Sequence, residues 1–247
     1  ILNVAASARQ YMHDFDGALN LLDKAIVIDP RNPQALLSRA NILIVRGRFA
    51  DASADCIGLA NARRPDLAIV CDTTAKALTA EAPQAYDRLD SLVSSNAIDP
   101  ALHGYAQSLL AEMARFQEWP EKARQKFEAA RPADAGDLRT LMILADFELS
   151  QGRSREALLL LKDAPATDSI LVRQAIAYNA VGNGTELARL KRILRGRFEA
   201  AAAAGEVAHA REASRYWLEV EGDSKAALAA AKANWIEQKE LEDALLL

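Results

Sequence analysis

The 247-residue chain repeats itself with a period of about 34 to 35 residues. Five alanines recur at spacings of 34, 71, 34 and 70 residues, which are single or double steps of that period: Ala18, Ala52, Ala123, Ala157 and Ala227. A glycine stands five residues before the alanine in three of the repeats, at Gly47, Gly152 and Gly222. A period of this length is typical of repeat proteins, in which neighbouring units stack and share one elongated core.

Each repeat contains two predicted helices joined by a short turn. Apolar residues three and four positions apart mark the first helix, as in Leu36, Ala40 and Leu43. The second helix places small, large and small residues on one stripe, where two backbones approach closely. The first helices are predicted over 1–13, 34–46, 67–80, 101–117, 137–151, 168–181 and 206–220, and the second helices over 15–28, 49–62, 83–95, 120–131, 153–163, 184–203 and 223–235. Proline is expected to end helices at Pro30, Pro65, Pro100 and Pro132.

The composition agrees with a helical fold and excludes several classes of protein. Hydrophobic residues make up 51% of the chain and aromatic residues only 6%, so alanine and leucine supply most of the apolar surface. The 30 lysines and arginines are mixed with 34 acidic residues, so no basic stripe is available for phosphates, and nucleic acid is not an expected partner. The longest apolar runs fall far short of the roughly 20 residues that cross a bilayer, so no transmembrane segment is expected.

The repeated residues resemble the tetratricopeptide repeat. The second half of that motif is matched by Ala18, Leu22, Ala25 and Pro30, and the first half by Leu171, Ala175, Tyr178 and Gly182, with leucine at the tryptophan position. The resemblance implies an all-α, right-handed α-α superhelix of about seven helical hairpins. It implies a single domain over 1–247, with better-matching repeats over 1–66, 101–165 and 206–235, degenerate repeats over 67–100 and 166–205, and a truncated eighth repeat over 236–247.

Two segments also resemble proteobacterial tetratricopeptide proteins of unassigned role. They are 13–19 near the start and 222–244 near the end, which contains Asn234 and Trp235. The likeness implies a bacterial protein, with the periplasm favoured over the cytoplasm. Because the chain begins at Ile1 without an initiator methionine, we expect that it is a piece of a longer protein, which leaves room for a removed export signal.

No arrangement of residues in the sequence points to catalysis. The three histidines, His13, His103 and His209, are 90 and 106 positions apart, and none has the spacing of metal ligands. Glycine-rich phosphate loops and the nucleophile motif of hydrolases are absent from the sequence. We therefore expect a protein without enzymatic activity, bound metal or cofactor.

The resemblance assigns one face of the first helices to a concave groove, which in this family holds an extended peptide or a partner helix. The candidate partner-binding residues at or beside these positions are Tyr11, Asn41, Tyr105, Arg115, Phe116, Arg139, His209, Arg211, Glu212, Arg215 and Tyr216. The segment 209–223 is the densest in polar and aromatic side chains and is predicted to be the main partner site. The family's clamp for acidic C-termini is not reproduced, because Asn41 stands without its lysine.

The two cysteines are predicted to face each other. If the helix that holds Cys56 ends near Arg63 and the next begins near Asp66, an antiparallel hairpin brings Cys56 and Cys71 to the same height. Two interpretations stay open, a disulfide bond and a pair of buried free thiols. A disulfide would favour an oxidising compartment.

These patterns together predict a non-enzymatic scaffold that binds a protein or peptide in the groove of a superhelix. Two alternatives stay open beside it. The apolar end over 241–247 favours self-association into a homodimer. A deep pocket for a small molecule would instead favour an accessory or ligand-binding subunit of a bacterial envelope complex. No residue pattern identifies the partner itself.

Overall fold

The computed structural model describes residues 1–130, 137–205 and 209–247, and all regular structure in these residues is helical. Each helix that the repeat predicts is present, with ends shifted by a few residues. The helices are α1 (Leu2–Tyr11), α2 (Phe15–Ile28), α3 (Pro33–Val45), α4 (Phe49–Asn61), α5 (Pro65–Lys76), α6 (Ala82–Ser94), α7 (Pro100–Phe116), α8 (Pro120–Ala130), α9 (Leu138–Ser150), α10 (Ser154–Leu161), α11 (Asp168–Ala180), α12 (Gly184–Ala203), α13 (Ala210–Arg215), α14 (Ser224–Glu237) and α15 (Leu241–Ala244). A π-helical turn over Tyr216–Glu221 continues α13. The predicted all-α fold of helical repeats is confirmed.

Proline begins helices here more often than it ends them. The Asp99 side chain accepts a hydrogen bond from the main-chain N–H of Ala101 at 2.9 Å, and Pro100 occupies the first turn of α7. Pro65 is likewise the first residue of α5. The prediction that Pro65 and Pro100 end helices is therefore wrong: each starts the next one, because a missing N–H costs nothing in a first turn. Pro132 lies outside the described residues.

The repeated alanines lie in the cores of the hairpins, as the sequence predicts. All five are buried: Ala18, Ala52, Ala123, Ala157 and Ala227. A methyl side chain at these positions lets one helix approach the next closely, and larger residues such as Leu22 and Leu59 fill the space beside it. The low aromatic content therefore reflects a thin core that is repeated along the chain.

The chain divides into two compact units. Unit 1 comprises Ile1–Ala133 and Gln238–Leu241. Its first helices α1, α3, α5 and α7 each pack on the second helix that follows and on the neighbouring first helices, so that they form one layer. Leu36, Leu43 and Leu59 belong to its core, together with both cysteines.

Unit 2 comprises Asp134–Glu237 and Glu242–Leu247. It contains the hairpins α9–α10 and α11–α12, followed by α13, the π-helical turn and α14. Leu171, Leu194, Phe198 and Tyr216 lie in its core. The prediction of one continuous domain over 1–247 stays a prediction. Within the described residues, no helix is long and apolar enough to cross a membrane.

Candidate functional site

The layer of first helices in unit 1 carries five of the predicted binding residues. Tyr11 on α1, Asn41 on α3 and Tyr105 on α7 are exposed, and the exposed fraction of Tyr11 reaches 88%. Arg115 and Phe116 are half-buried in the last turn of α7. Unit 1 therefore presents two tyrosines and an asparagine to solvent from one layer of helices, as a recognition surface requires.

The predicted main site over 209–223 is largely engaged in contacts within unit 2. His209 is exposed, with its Nδ1 3.5 Å from Oδ2 of Asp168. Glu212 is half-buried and accepts a hydrogen bond from the Ser169 hydroxyl at 2.9 Å. Arg139, on α9, is also half-buried. Glu212 thus connects α13 to α11 through Ser169.

Tyr216 is a core residue, so its interpretation as an exposed recognition aromatic is wrong. Its side chain is 0% exposed, and its ring lies 5.5 Å from that of Phe198. Its hydroxyl contacts the Glu221 carboxylate and lies 3.1 Å from the main-chain oxygen of Lys191. The prediction took the polar and aromatic residues over 209–223 as one exposed group, whereas Tyr216 packs with Leu194 and Phe198 of α12 in the core of unit 2.

A buried ion-pair network lies at the centre of unit 2. Arg173 is 2% exposed, and its Nη2 and Nε donate to one carboxylate oxygen of Asp146 at 2.6 and 3.1 Å. The other carboxylate oxygen accepts from Nη1 of Arg215 at 2.6 Å, while Nε of Arg215 donates to Glu219 at 2.9 Å. Burial alone would raise the pKa of Asp146, but the two guanidinium groups hold it below its usual range. Arg215 therefore serves the fold, and its interpretation as an open binding residue is wrong.

A second carboxylate fixes the last helix of the chain. Asp243 on α15 is buried, and it accepts hydrogen bonds from Nη2 of Arg211 at 2.9 Å and from the Asn234 amide at 2.7 Å. These contacts tie α15 to α13 and α14. Arg211, another predicted binding residue, is thus an internal partner. Sequence reasoning missed Arg173 and Asp243; the signal for Arg173 is an arginine that directly follows the apolar run 170–172.

Glu221 gives unit 2 a measurable dependence on acid. Burial opposes its ionisation, but hydrogen bonds from Tyr216, Arg195 and Lys191 lower its pKa from 4.5 to about 2. A lowered pKa means that the ionised carboxylate stabilises the fold above pH 4.5, and that this contribution is lost as the pH falls towards 2.

We therefore expect Glu221→Gln to lower the urea midpoint at neutral pH and to make it fall less steeply between pH 4.5 and 2. Urea unfolding followed by circular dichroism at several pH values measures both effects. Glu186→Gln is the control, because the ion pair of Glu186 with Arg189 lies largely in solvent. A Glu221→Gln profile parallel to that of the unchanged protein would contradict the assignment.

Each unit contains a half-open cavity. A half-open groove of about 440 Å³ in unit 2 is lined by Phe198, Trp217 and mostly alanines, with His209 as its one ionisable side chain. A cleft of about 260 Å³ in unit 1 lies beside Arg39, which forms ion pairs with Asp23 and Asp55. In the part of the chain that the structure describes, no group of three or more His, Cys, Asp or Glu is placed to hold a metal ion.

The cysteines meet across the hairpin between α4 and α5. A disulfide joins Cys56 to Cys71, with Cα atoms 5.5 Å apart and 15 positions between the two residues in sequence. Both are buried beside Leu36, Leu59 and Leu67. Of the two interpretations that the sequence leaves open, the structure contains the bonded form.

Comparison with known protein families identifies part of unit 1. A family profile described as tetratricopeptide repeat matches residues 11–68. The matched residues contain α2, α3 and α4 entirely, and they include Tyr11, Asn41 and Cys56. No curated protein matches the chain.

Proposed function

We propose that this chain, in which residues 11–68 match the tetratricopeptide repeat, is a scaffold without enzymatic activity that binds an extended peptide or a partner helix. Tetratricopeptide repeats are protein-interaction modules, so the expected partner is a protein. The proposed contact surface is the exposed side of the first helices of unit 1, which the family resemblance assigns to the concave face.

The observation that carries this proposal is the exposure of polar and aromatic side chains on one helical layer. Tyr11, Asn41 and Tyr105 all lie on first helices of unit 1 and are exposed. The other tyrosine in the described part of unit 1, Tyr86, is buried on a second helix. Exposed tyrosine supplies a large contact area with few rotatable bonds, and it is enriched in recognition surfaces.

Site-specific photo-crosslinking tests the proposal. We expect a benzophenone side chain at position 11, 41 or 105 of the full-length protein to give a defined adduct in a lysate of the source cells. The matched control positions are Val27 and Ile57, which are 82% and 64% exposed but lie on the second helices α2 and α4. Equal adducts at the control positions, or none at the first-helix positions, would overturn the proposal.

The same crosslinks distinguish the alternative class, self-association. The exposed apolar residues Leu245 and Leu247 near the end of unit 2 favour that alternative. An adduct of twice the mass of the chain, which contains only this protein, would support a homodimer in place of a separate partner. An adduct that contains a second protein supports the scaffold.

We propose that the protein works in an oxidising compartment, the bacterial periplasm being the one that the sequence favours. The disulfide between Cys56 and Cys71 supports this assignment, because disulfides persist in oxidising compartments and are rare in the reducing cytosol. The bacterial origin itself stays a prediction from the sequence.

A further inference from the structure

Residues Gln238–Leu241 belong to unit 1, although they lie far from its other residues in the sequence. The first three, between the end of α14 at Glu237 and the start of α15, are non-helical. We call Gln238–Leu241 the docked segment. It lies against the ends of α1 and α3, at a corner formed by His13, Val45 and Gly47.

A main-chain hydrogen bond holds the docked segment on the corner. The last carbonyls of a helix have no partner within the helix, and most are closed by the residues of the following turn. At the end of α3, the carbonyls of Ile42, Leu43 and Ile44 are closed in this local way. The carbonyl of Val45, the last residue of α3, instead accepts the N–H of Lys239 at 2.7 Å. The corner thus offers a main-chain acceptor to the docked segment.

Gly47 makes room for the lysine side chain. Its φ of +72° is the left-handed conformation that glycine adopts without strain. A Cβ atom at this position would lie 2.5 Å from Cδ of Lys239, so the aliphatic part of that lysine runs directly over the glycine backbone. Gly152 has the same φ at the equivalent turn of unit 2 and has nothing within 4 Å of a Cβ. Gly47 therefore combines the shape of the turn with space for a ligand.

A side-chain contact fixes the preceding residue. The amide nitrogen of Gln238 lies 3.1 Å from Nδ1 of His13, at the end of α1. The His13 ring in turn packs edge-on against Phe15, with ring centroids 5.5 Å apart. Two successive residues of the docked segment are thus held by the ends of two successive first helices, Gln238 through its side chain and Lys239 through its main chain.

We propose that the docked segment is an intramolecular ligand of a peptide site at this corner, and that an external peptide must displace it to bind there. The inference rests on the proposed function, because it treats unit 1 as a peptide-binding surface that includes the neighbouring Tyr11. The partner that fits is an extended segment with an amide side chain followed by a lysine or arginine. The long aliphatic stem of that basic residue lies over Gly47, and its main-chain N–H donates to the Val45 carbonyl.

The docked segment is covalently connected to the rest of the chain, and this determines how strongly it competes with an added peptide. A segment of the same chain acts at an effective concentration on the order of millimolar, so a micromolar peptide cannot occupy the corner while the segment remains there. Weakening the segment should therefore open the site to an added peptide. This makes the device an autoinhibitory contact that partner binding must overcome.

Hydrogen exchange tests whether the segment is docked. In the full chain, we expect the main-chain amide of Lys239, which donates to the Val45 carbonyl, to exchange at least about tenfold more slowly than in a free peptide. Gly47→Ala should remove this protection, whereas Gly152→Ala introduces the same backbone strain at an open turn and should leave it intact. Exchange of the Lys239 amide at the free-peptide rate in the unchanged protein would overturn the proposal.

Peptide binding tests whether the corner is a site. The probe is a fluorescein-labelled peptide of residues 236–242, titrated into the full chain and monitored by anisotropy. We expect it to bind Lys239→Pro, which lacks the main-chain donor, at least about tenfold more tightly than the unchanged protein. Gln238→Gly/Lys239→Gly provides a second opened variant if the proline disturbs folding. Equal affinity for opened and unchanged chains, or no binding to either opened variant, would sink the proposal.

The failure of this inference is distinguishable from that of the proposed function. The probe peptide requires no cellular partner, whereas the crosslinks at Tyr11 do. If the crosslinks form but the probe does not bind the opened chains, unit 1 is a scaffold without an internal ligand. A probe that is methylated on the main-chain nitrogen of Lys239 serves as the control, because it lacks the N–H that the Val45 carbonyl accepts. It should bind the opened chains at least about tenfold more weakly than the parent probe.

Discussion

Arg173→Met should lower the free energy of unfolding by about 3 to 5 kcal/mol, the cost of breaking a buried ion pair by removing one partner. Methionine fills much of the same volume, so the loss comes chiefly from electrostatics. Asp146 is buried, and without Arg173 its carboxylate keeps only Arg215 as a charged partner. The Ser169 main-chain oxygen, which accepts from Nη1 of Arg173 at 2.9 Å, loses this donor as well. Urea unfolding followed by circular dichroism measures the change.

The double variant Arg173→Met/Asp146→Leu separates the ion pair from simple packing. We expect it to regain a large part of the lost stability, because a pair of apolar residues leaves no uncompensated charge in the core. Arg215 keeps its contact with Glu219 in that variant. Arg189→Met is the surface control, since its ion pair with Glu186 is exposed and is worth about 0 to 1 kcal/mol. A loss for Arg173→Met as small as that of Arg189→Met would contradict the structural assignment.

The same network explains why the sequence predicts the fold better than the site. The repeat of small residues around Ala18 and Ala157 and the apolar spacing of each helix are local signals, and they locate the helices α1 to α14. A binding residue depends instead on whether a polar side chain remains free after folding. Arg211 and Arg215 are predicted as part of a polar and aromatic partner site, but their partners Asp243 and Asp146 stand 32 and 69 positions away. The repeat period gives no signal that residues so far apart in the sequence are in contact.

Tyr216 fails for a different reason. Its burial comes from Leu194 and Phe198 on α12, and the residues around Tyr216 in the sequence carry no signal for which helix packs over that side chain. The docked segment was equally inaccessible to sequence reasoning, because it joins Lys239 to Val45 through main-chain atoms that carry no residue signature. The cysteines are the opposite case. Their symmetric positions on either side of the turn between α4 and α5 are a local signal, and the structure brings them together.

Reduction of the disulfide between Cys56 and Cys71 should lower the free energy of unfolding by about 3 kcal/mol, as expected for a closed loop of about 15 residues. The crosslink limits the conformations of the unfolded chain between α4 and α5, so its loss favours the unfolded state. We expect the urea midpoint of the unchanged protein to fall when a reductant is added. Purification without reductant should leave no thiol that titrates under denaturing conditions.

The variant Cys56→Ala/Cys71→Ala distinguishes the crosslink from a general effect of the reductant. Its urea midpoint should be lower than that of the oxidised protein and should not change when a reductant is added, because the variant has no disulfide. The urea midpoint of the variant should also be slightly lower than that of the reduced protein, since the two buried sulfur atoms next to Leu36 and Leu59 are lost. Two titratable thiols in the purified protein, or a midpoint that the reductant leaves unchanged, would show that the bond is absent. Without the bond between Cys56 and Cys71, the structure would no longer support an oxidising compartment.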